Sequence, residues 1–228
     1  MTAPFAIKDD VFMVGGPGLT DSRDCCVYLI NAEGELALID SGVCRGSAEA
    51  ILANVRSLGL DPCNLKYVIA THAHIDHIGG LRRLREGGAK VVAHELDVPA
   101  IEEGLERIGA FFYGVDYEPC QVDLKVTEDG YRLSVGGKEL LCLHIPGHTP
   151  GSMAVVLEIE GSEILFGQDI HGPYFEEIGS DLEAAKISLQ KLIDLEADVL
   201  CEGHYGVIRP AEEVRKFIEG HLRSLTAP

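Results

Sequence analysis

Thr71-His72-Ala73-His74-Ile75-Asp76-His77-Ile78-Gly79-Gly80 places three imidazoles and one carboxylate within six positions, directly after the apolar run Leu65 to Ala70. The run reads as a buried strand and the cluster as the loop at its end. In extended backbone His72 and His74 point to the same side, as two ligands of one ion would. Asp76 and His77 are adjacent, diverge, and are placed to reach a second ion. A lone histidine at the end of an apolar strand is ordinarily a hydrogen-bonded structural residue. Four ligand-type side chains in one polar cluster, with two glycines behind them, reverse that reading in favour of metal binding.

Three more ligand-type residues lie where other strands give way to loops. His148 sits in Pro146-Gly147-His148-Thr149-Pro150-Gly151, Asp169 follows Ile164 to Gly167, and His204 lies in Cys201-Glu202-Gly203-His204-Tyr205-Gly206. Binding groups gather on such loops because the sheet holds them while the loops vary. Taken singly, each is as readily structural. Together with the cluster they make five histidines and two aspartates, enough for two ions.

The rest of the chain reads as two β-rich halves around the cluster. Phe5 to Val14, Cys25 to Asn31 and Glu35 to Ile39 read as strands, the last two joined by the turn Ala32-Glu33-Gly34. Ser47 is the expected N-cap of a helix to about Leu58, stopped by Gly59. The strand Leu65 to Ala70, a helix near Leu81 to Arg85 and a short strand Lys90 to Ala93 follow. In the second half, hairpins are expected around Gly136-Gly137 and around Gly161. A helix from Asp181 to Leu195, a strand Asp198 to Cys201 and a helix Ala211 to Leu222 complete the pattern. The expectation is one α/β domain over residues 1–228, two sheets sandwiched between helices. Glu95 to Glu118 fits it worst, mixing a helix with Phe111, Phe112, Tyr113 and Tyr117, as a lid over a site or a packed helical insert.

Composition excludes several classes of partner. Of 228 residues, 46% are hydrophobic and 25% charged, ordinary for a globular protein. Nineteen Lys and Arg against thirty-seven Asp and Glu give a net charge of −18, which repels phosphate backbones and anionic membranes. No nucleic-acid or membrane partner is expected; a small-molecule substrate is, and a homodimer is compatible with the sequence. Seven scattered cysteines without a CxxC pair read as reduced thiols. The first ten residues hold neither a basic nor an apolar segment, so a signal peptide is not expected and the cytoplasm is the expected location.

The segments THAHIDH (71–77), GHTPGS (147–152), Gly167-Gln168-Asp169 and Gly203-His204 closely resemble those of metallo-β-lactamase-fold hydrolases in order and spacing. The resemblance covers nearly the whole chain, from Leu38-Ile39-Asp40-Ser41-Gly42 to His204. It implies an αββα sandwich with a metal pair at one edge. By position it implies that His72, His74 and His148 bind one ion and Asp76, His77 and His204 the other, with Asp169 bridging. It places Asp40 behind the ligands, orienting them. Imidazole and carboxylate donors suit Zn²⁺ first, with Fe or Mn as alternatives.

What the resemblance implies for activity is hydrolysis by a metal-bound hydroxide. Two ions roughly 3.5–4 Å apart hold a bridging water and lower its pKa toward about 7. Departures from the subfamilies narrow the substrate to a small ester, lactone or thioester. Metallo-β-lactamases lack the bridging aspartate that Asp169 matches; glyoxalase II adds a helical domain for which the 24 residues after His204 are too few. The Gly-Cys-Gly-Arg segment of glyoxalase II and persulfide dioxygenases is replaced by Ile170-His171-Gly172-Pro173-Tyr174. Tyr174, offset by two residues from the tyrosine of lactonases of this fold, is a candidate support for the substrate carbonyl. His171 is a candidate proton shuttle. The alternative function is a mononuclear iron persulfide dioxygenase-like sulfur oxygenase using His72, His148 and Asp169. A non-catalytic scaffold is a third class, disfavoured by the intact ligand set.

Overall fold

The computed structural model describes residues 3–226. Its first sheet begins with β1 (Phe5–Lys8), β2 (Val11–Gly15), β3 (Val27–Ala32) and β4 (Glu35–Ile39), an antiparallel meander. Helix α1 (Arg45–Ser57) then crosses to β5 (Leu65–Ile69), and α2 (Ile75–Ile78) and α3 (Leu81–Glu86) lead to β6 (Lys90–His94). An insert with α4 (Val98–Glu103) and α5 (Ala110–Tyr113) precedes β7 (Leu124–Val126), so that β4 to β7 run parallel. The second sheet is built from β8 (Tyr131–Val135), β9 (Lys138–His144), β10 (Met153–Ile159) and β11 (Ser162–Gln168), all antiparallel. After α6 (Leu182–Ile193), β12 (Val199–Glu202) joins β11 in parallel, β13 (Gly206–Ile208) closes the edge, and α7 (Ala211–Thr226) follows. The orders are β1-β2-β3-β4-β5-β6-β7 and β13-β12-β11-β10-β9-β8.

Both faces of each sheet are covered, which explains why the central strands are apolar at nearly every position. In β3, Val27 and Leu29 pack with α1 and α3, whereas Tyr28 and Ile30 face the other sheet. Between the sheets Tyr28, Ile39 and Ile69 meet Leu140, Val155 and Phe166 in one buried cluster. A third cluster seats α6 and α7 on the outer face of the second sheet through Leu189, Leu192, Val214 and Ile218. The layers are therefore α/β/β/α, the expected sandwich.

Local expectations needed correction in two places. Phe5 to Val14 is not one strand but a hairpin turning at Asp9-Asp10, where Asp10 adopts φ 65°. Ser47 does not cap α1. It lies inside the helix, buried, with its hydroxyl donating to Asp24 Oδ1 at 2.7 Å, and the N-cap is Cys44. A serine two residues into a helix is still free to serve a tertiary acceptor, and the sequence alone does not reveal Asp24. Both hairpins of the second half form as expected, with positive φ at Gly136, Gly137 and Gly161. All seven cysteines are free. Among the described residues no helix is long and apolar enough to cross a membrane.

Candidate metal centre

The ends of β4, β5, β9, β11 and β12 converge at one rim of the sandwich, and the seven sequence-predicted ligand residues meet there. Ligand atoms of His72, His74 and His148 lie within 4.8 Å of one another, as do those of Asp76, His77, Asp169 and His204. His72 Nε2 is 3.1 Å from His74 Nδ1. His204 Nε2 is 3.1 Å from both Asp76 Oδ2 and Asp169 Oδ2, and His77 Nε2 is 3.3 Å from Asp169 Oδ1. Asp169 Oδ2 also stands 3.5 Å from His148 Nε2 and 4.0 Å from His72 Nε2. One carboxylate thus touches both clusters.

These donors fit a metal. Tetrahedral ligands at 2.0–2.1 Å from an ion stand roughly 3.3 Å apart, the scale of the separations just given. His74 Nε2, His77 Nε2, both ring nitrogens of His148, Asp76 Oδ2 and Asp169 Oδ1 are buried without an aligned hydrogen-bond partner among the described residues. Asp76 Oδ2 nevertheless lies 3.1 Å from a histidine nitrogen. Groups that approach closely yet do not point at each other are aimed at common points between them. Buried polar atoms are normally satisfied, so this concentration of orphans marks a site for charged species. Gly203 belongs to the same design: a Cβ there would stand 2.0 Å from Asp169 Oδ1.

The two clusters differ electrostatically. Burial holds His72 and His74 below the ordinary histidine pKa and lowers His148 to about 3, so these imidazoles stay neutral and able to donate lone pairs. Burial also opposes charge on His77 and His204. At His77 it is outweighed by Cys25 and by the Asp169, Asp76 and Asp40 carboxylates, which hold the pKa well above the ordinary value. At His204 the adjacent Asp169 and Asp76 carboxylates raise it to about 10. Without an ion, protons on His77 and His204 offset the two carboxylates. A divalent cation would take over that role, displacing protons as it binds.

Residues behind the ligands fix their directions. Asp40, at the end of β4 with φ 66°, accepts from His77 Nδ1 at 2.8 Å and from Thr71 N at 2.8 Å. That leaves His77 Nε2 for the site. Gln168, beside Asp169, has φ 51°. Strained backbone at two strand ends, both next to the clusters, is where function most often sustains it.

The other expected catalytic candidates fall differently. His171 lines the cavity over the clusters, and its Nδ1 lies 2.7 Å from Glu202 Oε1. Glu202 is fully buried, and its other oxygen accepts from His204 N and Tyr205 N. Tyr174 does not line this cavity. Its hydroxyl donates to Ile170 O at 3.0 Å and its ring lies edge-on to His148. The offset from the lactonase position sends it behind the histidine. The tyrosine that does line the cavity is Tyr113, where burial and the Asp76 carboxylate push the phenol pKa up.

Asp97 was not anticipated. Its buried carboxylate accepts from Ala73 N at 3.0 Å, between the two histidines of the first loop, and from Thr149 Oγ1 at 2.6 Å, next to His148. Gly151 N and Arg107 Nη1 complete its shell. It fastens the two ligand loops to each other. Nothing in the local sequence signals this, because its donors lie 24 and 52 residues away.

The chain belongs to the metallo-beta-lactamase superfamily, whose family model matches residues 21–204. Relatives that match the chain are named as hydrolases, among them a hydroxyacylglutathione hydrolase of Haemophilus influenzae, 29% identical over 148 residues, covering 60% of this chain and 63% of its own length. A ribonuclease of Thermus thermophilus is 35% identical over 205 residues, covering 84% of this chain but 44% of its own length. A metallo-beta-lactamase fold-containing protein of Sulfurisphaera tokodaii is 26% identical over 220 residues, covering 87% and 77%. Among solved structures, a metallo-beta-lactamase from Cronobacter sakazakii superposes with a TM-score of 0.84 at 21% identity, over 99% of this chain and 96% of that one.

Proposed function

We propose that the chain hydrolyses a small ester, lactone or thioester at a pair of divalent ions, zinc being the first expectation. His72, His74 and His148 would hold one ion and Asp76, His77 and His204 the other, with Asp169 shared. The observation that carries the reading is Asp169: one buried carboxylate in reach of both ligand clusters, with its Oδ1 unsatisfied. When bound, such a pair supplies Lewis acidity at the carbonyl oxygen and a water deprotonated near neutral pH.

The chain's own residues would do the rest. Asp40 holds His77 with Nε2 inward, and Asp97 keeps the His72–His74 loop in register with His148. A carboxylate can only accept, so Glu202 keeps the proton of neutral His171 on Nδ1 and leaves its Nε2 a free base, which can take a proton from the attacking water and hand it to the departing oxygen or sulfur. Burial of the floor excludes bulk water from these contacts.

The ribonuclease relative does not move the reading toward nucleic acid. This chain spans less than half of it, carries −18, and, among the described residues, has no Lys or Arg lining the cavity. The sulfur-oxygenase alternative needs three ligands and gives the Asp76, His77 and His204 cluster no task.

Elemental analysis of protein purified without added metal, with hydrolysis of a lactone and thioester panel, tests the proposal. Two ions per chain and turnover lost on chelation are expected. One iron with oxygen consumed on a persulfide would overturn it.

A further inference from the structure

Above the ligand floor the cavity, of about 220 Å³, changes character. One wall is Ile108 and Phe112 from the insert after β6; the other is Pro173, Phe175 and Ile178 from the segment after Asp169. Phe112 and Phe175 come from distant parts of the chain, yet their ring centroids stand 6.5 Å apart across the mouth. They are 62% and 46% exposed, and Phe111 packs on Phe112 at 4.0 Å without lining the cavity. Large aromatic side chains left in water beside a polar site mark a surface that something apolar covers.

Among the described residues no Lys or Arg lines the walls. The guanidiniums that bond the insert at Tyr113, Leu96 and Asp97 are engaged: Arg23 with Asp21 and the Tyr113 carbonyl, Arg107 with Asp97 and the Leu96 carbonyl. A second carboxylate or a phosphate on the substrate would therefore meet phenyl rings, in the field of a chain carrying −18.

We propose that the substrate carries an uncharged hydrocarbon group next to its scissile carbonyl, seated against Phe112 and Phe175. The inference rests on the hydrolase reading above and adds the substrate class to it: a neutral alkyl or aryl ester, lactone or thioester, not an anionic thiol conjugate or a polynucleotide.

Phenyl hexanoate and monophenyl adipate share a leaving group and a chain length and differ by one terminal carboxylate. The metal-loaded enzyme is expected to prefer the hexanoate at least tenfold in kcat/KM, mostly through KM. The double variant Phe112→Ala/Phe175→Ala should lose most of that preference, and Phe112→Lys should shift it toward the adipate. In parallel, saturation-transfer NMR with 2-octanone, a ketone that cannot be hydrolysed, reads occupancy without turnover; the double variant should bind it at least fivefold more weakly. Equal or better use of the adipate, or ketone binding unmoved by the alanines, overturns the inference. If neither ester is cleaved while the ketone binds and weakens as stated, the apolar seat stands and the hydrolase reading falls.

Discussion

The floor and the rim of the cavity are built on opposite principles. The floor takes polar residues that follow strand ends of both sheets, all buried except His204, with Asp40, Asp97 and Glu202 behind them. The rim takes exposed phenyl rings, Phe112 from the short helix α5 and Phe175 from the loop after Asp169, whose aromatic contacts are with each other and with Phe111. Substitutions in the floor should therefore be felt across the whole site, whereas substitutions in the rim should change what binds and little else.

The largest contrast is expected from His148→Ala. Turnover should fall by roughly 10³-fold or more as one ion's ligand set is broken, with near-native circular dichroism; retention of two tightly held metals would count against the assignment. Next comes Asp97→Ala, which strands Ala73 N and Gly151 N in the interior, leaves Thr149 Oγ1 only Ser152 Oγ, and unpairs the half-buried Arg107. A loss of about 3–5 kcal/mol in chemical denaturation is expected, with metal affinity down about 10–100-fold. A variant as stable as the parent would show that the loops need no fastening.

Acid should separate the metal-free protein from the loaded one. Between pH 6.5 and 4.5 the unfolded chain takes up protons that folded His72, His74 and His148 refuse, so stability falls with pH. With the pKa of His148 at about 3, that residue alone accounts for about 2–3 kcal/mol at pH 4.5. His204, raised to about 10, contributes fully below pH 6.5 and loses its contribution only as pH climbs toward 10. Thermal melts should show the acid loss in chelated protein and much less of it with metal bound. His171→Gln should lower kcat by roughly 10²-fold while both ions stay in place; an unchanged kcat removes the proton-relay role. Smallest of all, Phe111→Ala should move stability by no more than about 0.5 kcal/mol and leave KM alone, unlike Phe112→Ala.

The same contrast governs what could be read before the fold was known. Floor residues announce themselves because ligand chemistry restricts them to a few residue types, and strands place them at regular spacings, as in His72 and His74. The sandwich was legible for the same reason: strands buried on both faces read as apolar runs. The rim obeys no such rule. Phe112 and Phe175 are meaningful only once the 62 intervening residues have been folded between them. Tyr174 misled because a two-residue offset after Asp169 changes which way a side chain points, and Asp97 stayed hidden because its donors come from three separate segments.

The division of the site between the two sheets also fixes an order of events during synthesis. A ribosome that has made residues 1–80 has produced a short chelator with three imidazoles and no cage around it. Nothing resembling the finished chamber exists until Asp169 and His204 have emerged and the second sheet has docked. Capture of the proposed ion pair would therefore wait until both halves of the polypeptide have been made.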